Sequence, residues 1–570
     1  MTPPLGPISL SFSGGGGRAA GFHLGTLVYL DRLNILKDVT ILSTVSGGSF
    51  VGASYALALK EAPSGEDLHV TFRRYFETFR TVLLTSQLLP WALQRMARGQ
   101  VKVPSGRENL VTALAQVYDD TFLHHASFGV FWNDREIHLK EIIFNATEFQ
   151  TGNAFRFQRS PYPCLIGNEH VSVSEDHARK MRLADVVACS SCIPIGLEPV
   201  VFPDDFRWPD DEPALCDEIK ADLLGRHGIN AFPIMDCGVY DNQGIESVLL
   251  AVRRDFSSEQ LLGKTGAQAS MTDWFRALLA THDDLGTFII SDAPLMTGSD
   301  LAAPPPPSKV SFVTLEHLNL ATWALMAMSV LSIVYLLAHQ QLSADPLHPF
   351  SQADDFFLYS IPMALATCLL VVLVYVQRRV NALLSDFPQS GHGSWADVRK
   401  LKVAAVMGMV RLRLSSTWAL TTWVYFNRIR QLGYDLILAL PGSRRHVIAH
   451  EIDDLVSGDI PAERLAWLKP SAAAQEVAQR ASELPTTLWF NRDQDLDDAV
   501  ACGRMTMCFN VLTHFEEQHP VRSAEQEEAY GIARADWDQL QADPFADLSV
   551  RGEGIPAAAG NCPIRPEART

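Results

Sequence analysis

The sequence predicts an α/β fold with a mostly parallel central sheet, and two consecutive local patterns carry that prediction. An apolar run at 8–12 leads into four glycines and then into a helical pattern that ends at about Asn34. A β-branched run at 39–45 turns at a Ser-Gly-Gly triplet into a second helical pattern. Two strand-to-helix units so close together favour parallel strands with helices packed on the sheet.

The rest of the chain continues this pattern with longer interruptions. A helical excursion is expected over 61–135, and the Pro-punctuated segment 188–203 is expected to be a packed loop that ends in a strand. Residues 203–231 are acidic and Pro-rich, which indicates a surface insertion. Further strands are predicted near 136–148, 154–158, 232–235 and 287–291, and further helices near 175–188, 460–482, 494–515 and 523–540.

Composition excludes some classes of protein. The 570 residues include 47 Lys and Arg against 65 Asp and Glu, a net charge of −18, and 47% are hydrophobic. Such a chain can bury a large core, and its acidic balance argues against nucleic acid as a partner. Nine scattered cysteines indicate a reducing compartment rather than a disulfide framework. The N-terminus has no secretory signal pattern, so the chain is expected to start in the cytoplasm.

Two uncharged stretches, 318–338 and 356–376, predict an inserted two-helix transmembrane hairpin. Each would span about 31 Å as a helix, which matches the hydrocarbon thickness of a bilayer. The loop between them has no Lys or Arg, whereas Lys309 precedes the first stretch and Arg378 and Arg379 follow the second. The positive-inside rule then predicts a multi-pass protein with both termini in the cytoplasm. A buried helical hairpin in a soluble core is the alternative.

The four glycines Gly14, Gly15, Gly16 and Gly17 lie between a strand and a helix, where backbone N–H groups and a helix N-terminus favour an anion. The anion could be a nucleotide triphosphate, a dinucleotide pyrophosphate or the oxyanion of an acyl-transfer intermediate. Arg18 and Ala19 stand where a triphosphate-binding loop has Lys and Ser or Thr, which excludes the first. A dinucleotide site expects an acidic residue at the end of the second strand, and none is present.

A serine and an aspartate are the candidate reactive residues. Ser46 lies on a tight strand-to-helix turn, which would expose its hydroxyl at the carboxyl edge of the sheet, with Ser49 as a rival inside the helix. Asp236 ends an apolar strand at the same edge and could accept the serine proton if partly desolvated. The histidine pairs and the Cys189–Cys192 pair lack the spacing of metal ligands, so neither a metal nor a cofactor is predicted.

Three segments in order, SGGGGRAAGFHLG at 13–25, STVSGGSFVGA at 43–53 and MDCGVYDNQG at 235–244, resemble the patatin-like phospholipase family. Further agreement comes from IIFNATEFQTG at 142–152, ACSSCIPIGLEPVVFP at 188–203 and WFNRDQDLDDAVACGRMTM at 489–507. The resemblance implies a three-layer sandwich around the mostly parallel sheet, with the transmembrane hairpin inserted into it.

The same resemblance implies a function. Ser46 would be the nucleophile and Asp236 the base of a Ser-Asp dyad, while the backbone of Gly14, Gly15, Gly16 and Gly17 would form an oxyanion hole anchored by Arg18. The substrate would be a membrane phospholipid or another acyl-ester lipid, hydrolysed at the cytoplasmic face of a membrane, with the bacterial inner membrane expected. The alternatives are an inactive lipid-binding scaffold and an acyltransferase that uses the same dyad.

Three residues depart from the family pattern. Ala19 replaces the last glycine of the first motif, Thr44 replaces the first glycine of the serine motif, and Cys237 replaces the glycine after the aspartate. Because a cysteine does not easily adopt a positive φ, Cys237 puts the geometry of Asp236 most in question.

The predicted organisation has four parts. They are a patatin-like catalytic core at 1–300, a Pro-rich linker with the hairpin at 301–380, a helical part at 381–548 that completes the core domain, and a tail at 549–570 that is expected to be disordered.

Overall fold

The computed structural model describes residues 3–256, 271–281, 285–294, 314–342 and 424–546 apart from a few single positions, together with scattered positions between 364 and 420. The chain forms two compact units. The first comprises Met1–Met296 and Trp423–Thr570, and the second is Thr297–Thr422.

The described part of the first unit contains a ten-stranded sheet with the order β10-β9-β1-β2-β3-β4-β5-β6, in which β8 also pairs with β3, and β7 with β8. The five strands from β10 to β3 are parallel, while β4 and β8 run antiparallel to β3. The strands are β1 (Ile8–Phe12), β2 (Val39–Val45), β3 (Glu141–Glu148), β4 (Asn153–Arg159), β5 (Ile166–Gly167), β6 (Ser172–Val173), β7 (Val200–Phe202), β8 (Phe232–Asp236), β9 (Thr287–Asp292) and β10 (Val447–Glu451).

Helices fill the connections between the strands. Before β9 they are α1 (Gly16–Arg32), α2 (Gly47–Glu61), α3 (Leu68–Thr85), α4 (Leu88–Ala97), α5 (Leu110–Thr121), α6 (Glu175–Arg179), α7 (Leu183–Ser191), α8 (Leu215–His227), α9 (Ile245–Asp255) and α10 (Met271–Thr281). Those that follow β9 are α11 (Leu315–Leu342), α12 (Tyr425–Leu438), α13 (Ala472–Ser482), α14 (Asp493–Gln518) and α15 (Ala524–Ala542).

Alternate residues of the central strands face two separate hydrophobic clusters, as the pleat of a strand requires. Ile142 and Phe144 of β3 belong to a large cluster that includes residues of α1, α2 and α14. Ile143, between them, belongs to a smaller cluster with residues of α9, α10 and α12. The sheet is therefore covered by helices on both faces, and the unit has three layers.

The first two strands have the predicted bounds, and β4, β8 and β9 lie within a residue of theirs. Two expectations need correction. The strand predicted from 136 begins only at Glu141, and residues 188–191 belong to helix α7 rather than to a loop. The small side chains of Ala188, Ser190 and Ser191 pack into the core, so the helix continues through a segment that its prolines had predicted to be a loop. The segment 203–231, expected as a surface insertion, contains α8.

The predicted transmembrane hairpin is not supported. The first stretch is helical, within α11, but no helix among the described residues is long and apolar enough to cross a membrane. Most of the second stretch, the four-proline linker and the tail at 549–570 lie outside the described residues. The location at the cytoplasmic face of a membrane stays a prediction.

Candidate active site

The site lies at the carboxyl edge of β1 and β2, where two helices begin side by side. The strands are parallel neighbours with Phe12 opposite Thr44, so the glycine turn after one and the serine turn after the other meet at one place. Gly47 lies so close to the peptide of Gly16 that a side chain there would overlap it. Gly16 also has φ 63°, a conformation that favours glycine.

Ser46 sits on a sharp turn between β2 and α2. Its φ of 49° and ψ of −116° place a non-glycine residue in a sparsely populated backbone region, which costs on the order of 1–3 kcal/mol. Its N–H donates to Ser190 Oγ at 3.1 Å, which helps to hold the turn. The turn leaves Ser46 half-buried while both neighbours in the chain are buried. The hydroxyl is therefore presented to the cleft.

The rival Ser49 is fully buried inside α2. Its hydroxyl lies 3.0 Å from Thr44 Oγ1 and 2.8 Å from Ser190 Oγ. Thr44, which replaces a glycine of the family pattern, thus has a partner and does not disturb the turn. Ser49 supports the turn from beneath and does not line the cleft.

Asp236 ends β8, which crosses to this edge by pairing with β3 opposite Ala146. Its carboxylate accepts the N–H of Gly238 at 2.7 Å. Burial raises the pKa of Asp236 to about 6, and the hydrogen bond from Gly238 and the neighbouring Ser46 hydroxyl offset part of that rise. The two predicted reactive residues line the same cleft.

Cys237 does not distort this geometry. The residues with positive φ include Ser46 but not Cys237, which begins a short 3₁₀ turn over Cys237–Val239. The thiol is buried, and burial raises its pKa well above the ordinary value. The cysteine is a packing residue, and the aspartate beside it keeps its hydrogen bonds.

The four glycines do not contribute equally. The N–H of Gly14 donates to the backbone oxygen of Asn242 at 3.0 Å, and that of Gly17 donates to the backbone oxygen of Thr487 at 2.6 Å. The N–H groups of Gly15 and Gly16 have no acceptor among the residues that the structure describes. Only two of the four predicted donors are thus open to an oxyanion, because tertiary partners occupy the others.

Arg18 anchors the loop from below. Its guanidinium is buried and donates to the backbone oxygens of Ser482, at 3.0 Å, and Ala293, at 3.1 Å. Burial and the nearby Arg430 lower its pKa to about 10. These bonds tie the start of α1 to the ends of α13 and β9.

Two residues at the site, Arg430 and Asn242, were not predicted as site residues, and they contact each other. Arg430 on α12 is buried, donates to the backbone oxygen of Gly14 at 3.1 Å and pairs with Asp292 at 3.2 Å. Its Nη2 and Nε lie 2.7 and 2.9 Å from the side-chain amide of Asn242, whose oxygen must face these donors. The amide –NH₂ of Asn242 is then turned toward Gly14 and Gly238, at the cleft.

The cleft itself is small and has a mixed lining. Its volume is about 40 Å³, close to that of one water molecule, ~30 Å³. Besides the residues above, it is lined by Ile193, Phe426, Asn427 and Thr486. In the described part of the chain, no three His, Cys, Asp or Glu side chains are placed to hold a metal ion.

In α/β sheets, the carboxyl edge of the parallel strands is the usual place for a ligand, and the cleft lies there. Residues 10–249 match the family model of patatin-like phospholipases. The match marks this part of the chain as a patatin-like phospholipase domain, and such a domain implies lipid acyl hydrolase activity in general. A search of curated proteins finds no match to the chain. The family match ends before α12, so Arg430, Phe426 and Asn427 lie outside it.

Proposed function

We propose that the protein hydrolyses acyl esters of membrane lipids through a Ser46–Asp236 dyad and an acyl-enzyme. The observation that carries the proposal is that the half-buried Ser46 and the buried Asp236 line one cleft, where the Ser46 hydroxyl lowers the pKa of the Asp236 carboxyl. Ser46 Oγ attacks the ester carbonyl carbon while Asp236 takes its proton and returns it to the leaving alcohol. Water, deprotonated by the same carboxylate, then attacks the acyl-enzyme, and Asp236 returns that proton to Ser46 Oγ as the fatty acid leaves.

The burial of Asp236 suits this role. A pKa of about 6 leaves the carboxylate ionised at neutral pH but makes it a better proton acceptor than a solvated aspartate. The strained turn at Ser46 also supports the proposal, because it holds the hydroxyl beside the carboxylate before substrate binds.

Three N–H donors are proposed to stabilise the oxyanion. Two are the backbone amides of Gly15 and Gly16 at the start of α1, where the helix dipole favours negative charge. The third is the side-chain amide of Asn242, held in place by Arg430. Because the buried Arg430 donates from Nη2 and Nε to the Asn242 oxygen, it fixes the orientation of that amide.

We expect Asn242→Asp to lower kcat by about 10²-fold with a small effect on KM, as loss of an oxyanion donor does. The aspartate keeps an oxygen for Arg430 but replaces the –NH₂ group. Asn427→Asp is the matched control, because Asn427 also lines the cleft and the change adds the same charge. Steady-state kinetics of both variants measure the effect. An equal loss of kcat in the two variants would mean that the added charge alone causes the effect, and that Asn242 does not stabilise the oxyanion.

The proposed function is tested with a fluorophosphonate probe and with phosphatidylcholine vesicles. We expect one probe per chain, on the peptide that contains Ser46, and release of fatty acid from the vesicles. An inactive scaffold would bind the vesicles and remain unlabelled. An acyltransferase would be labelled but would transfer the acyl group to an added lysolipid rather than to water. Labelling at any other serine would contradict the dyad.

A further inference from the structure

We infer that the acyl chain of the substrate runs along one face of α2 and ends in an apolar cavity between α2, α3 and the end of α5. The inference rests on the proposed function, since it assigns the chain that an ester at Ser46 would carry. It adds a binding site and a limit on acyl length.

The cavity has a volume of about 360 Å³. Leu57 and Ala58 of α2, Phe79 and Val82 of α3, and Phe122 form much of its wall. If a methylene group needs about the space of a water molecule, ~30 Å³, the cavity holds roughly a dozen of them. That is the size of a long-chain acyl group rather than of a second lipid.

A narrow, largely apolar gap lies between the cavity and the glycine loop. Phe79, Val82 and Phe122 line both spaces, so the cavity and the gap are neighbours that share these side chains. At its other end the gap is lined by Gly17 and Phe50. Gly17 precedes Arg18, which lines the cleft with Ser46. The inferred acyl path therefore runs from the cleft past Phe50 and between Phe79, Val82 and Phe122.

The register of α2 gives the same path. Phe50, Ser54, Leu57 and Glu61 are spaced at intervals of four, three and four residues, so they lie on one face of α2, and Ser46 immediately precedes this helix. At 1.5 Å per residue, Ser54 lies about 12 Å along the axis from Ser46, and Glu61 about 22 Å. An acyl chain of one leaflet spans about half of a ~30 Å hydrocarbon layer, or ~15 Å. It would end within the cavity.

Polar side chains in the wall are already satisfied by the protein. Ser54 Oγ donates to the backbone oxygen of Phe50 at 2.5 Å. Tyr75 donates to the backbone oxygen of Val51 at 3.1 Å, and Thr121 donates to that of Val117 at 2.7 Å. These groups do not need a polar ligand, so the wall suits a hydrocarbon.

The far end of the cavity is charged. Glu61 pairs with His124 at 3.2 Å, and Arg74 pairs with Glu66 at 2.6 Å. Glu61, Arg74 and His124 all line this end. A chain that extended past Leu57 would place methylene groups among charges that need water. The charged end is therefore expected to set an upper limit on acyl length.

Ala58→Trp tests the site, because the indole would fill the cavity from α2. For the wild type, kcat/KM for p-nitrophenyl esters should rise about fourfold per added methylene from butyrate until the cavity is full. In Ala58→Trp, we expect butyrate to be cleaved at the wild-type rate and laurate at least about tenfold more slowly. Val70→Trp is the matched control, since Val70 is exposed on α3 and does not line the cavity.

A second variant protects the test against misfolding. Thr78 is exposed and lines the same cavity, so Thr78→Trp blocks it without entering the core, and we expect the same selective loss of laurate hydrolysis. Equal loss of butyrate and laurate hydrolysis in both folded variants, or no loss in either, would overturn the acyl site. If the wild type cleaves no ester at all, the proposed function has failed, and that result is distinct from a failure of the acyl site.

Discussion

Ser46→Ala should lower kcat/KM for lipid esters by at least about 10³-fold, because it removes the proposed nucleophile of the acyl-enzyme. The change removes one oxygen from a half-buried residue, so the fold should remain intact. The free energy of unfolding should change by about 1 kcal/mol or less, since the neighbouring carboxylate of Asp236 keeps its bond from Gly238. Ester hydrolysis and thermal melting measure the two effects.

Ser49→Ala is the matched control for that variant. The two serines are three residues apart and each variant loses the same atom, but Ser49 lies inside α2, where its Oγ contacts Thr44 and Ser190. We expect Ser49→Ala to melt at a lower temperature and to keep activity within about tenfold of the wild type. If Ser49→Ala were the inactive variant and Ser46→Ala the active one, the nucleophile would have been assigned to the wrong serine.

The parts of the fold that the sequence could predict are local ones. The bounds of β1 and β2 follow from apolar runs that end at glycine-rich turns, and these signals lie within a few residues of each strand. Long-range pairing was harder. Asp236 reaches the site through an antiparallel pairing of β8 with β3, and periodicity within β8 does not reveal its direction or its partner. Its predicted position at the sheet edge was nonetheless correct.

The candidate site divides in the same way. Ser46 and Asp236 stand at strand ends, so the sequence could predict both the reactivity of each residue and its position in the strand. The sequence could not predict that the Gly14 and Gly17 amides donate to Asn242 and Thr487, because these acceptors come from distant parts of the chain. Arg430 lies on a helical pattern with apolar neighbours, where a solvated arginine is the usual outcome. Only the packing of α12 against the glycine loop gives it a role.

Asp236→Asn should lower kcat by about 10³-fold, because the amide cannot accept the proton of Ser46. The side chain keeps its shape and an oxygen for the N–H of Gly238, so the turn should be preserved. For the wild type, kcat/KM should rise with pH through about 6 and then level, since the carboxylate must be ionised to act as base. If the residual activity of Asp236→Asn lacks this inflection, the inflection belongs to Asp236. If the pH profile of the variant is unchanged, the inflection belongs to another group.

The same substitution should stabilise the protein above pH 6, and the sign follows from the direction of the pKa shift. Burial raises the pKa of Asp236 from 3.8 to about 6, so the folded state holds the proton more tightly than the unfolded state does. Below pH 3.8 both states are protonated and the shift costs nothing. As pH rises through 6 the folded protein loses ~3 kcal/mol of stability, at 1.36 kcal/mol per pKa unit.

An asparagine at 236 carries no such cost, because its side chain does not ionise. We therefore expect the variant to melt above the wild type at about pH 8, and the difference to shrink toward zero at about pH 4, where acid tolerance permits the measurement. If Asp236→Asn is less stable than the wild type at both pH values, the carboxylate stabilises the fold. Burial of the ionised Asp236 would then not destabilise the protein as expected.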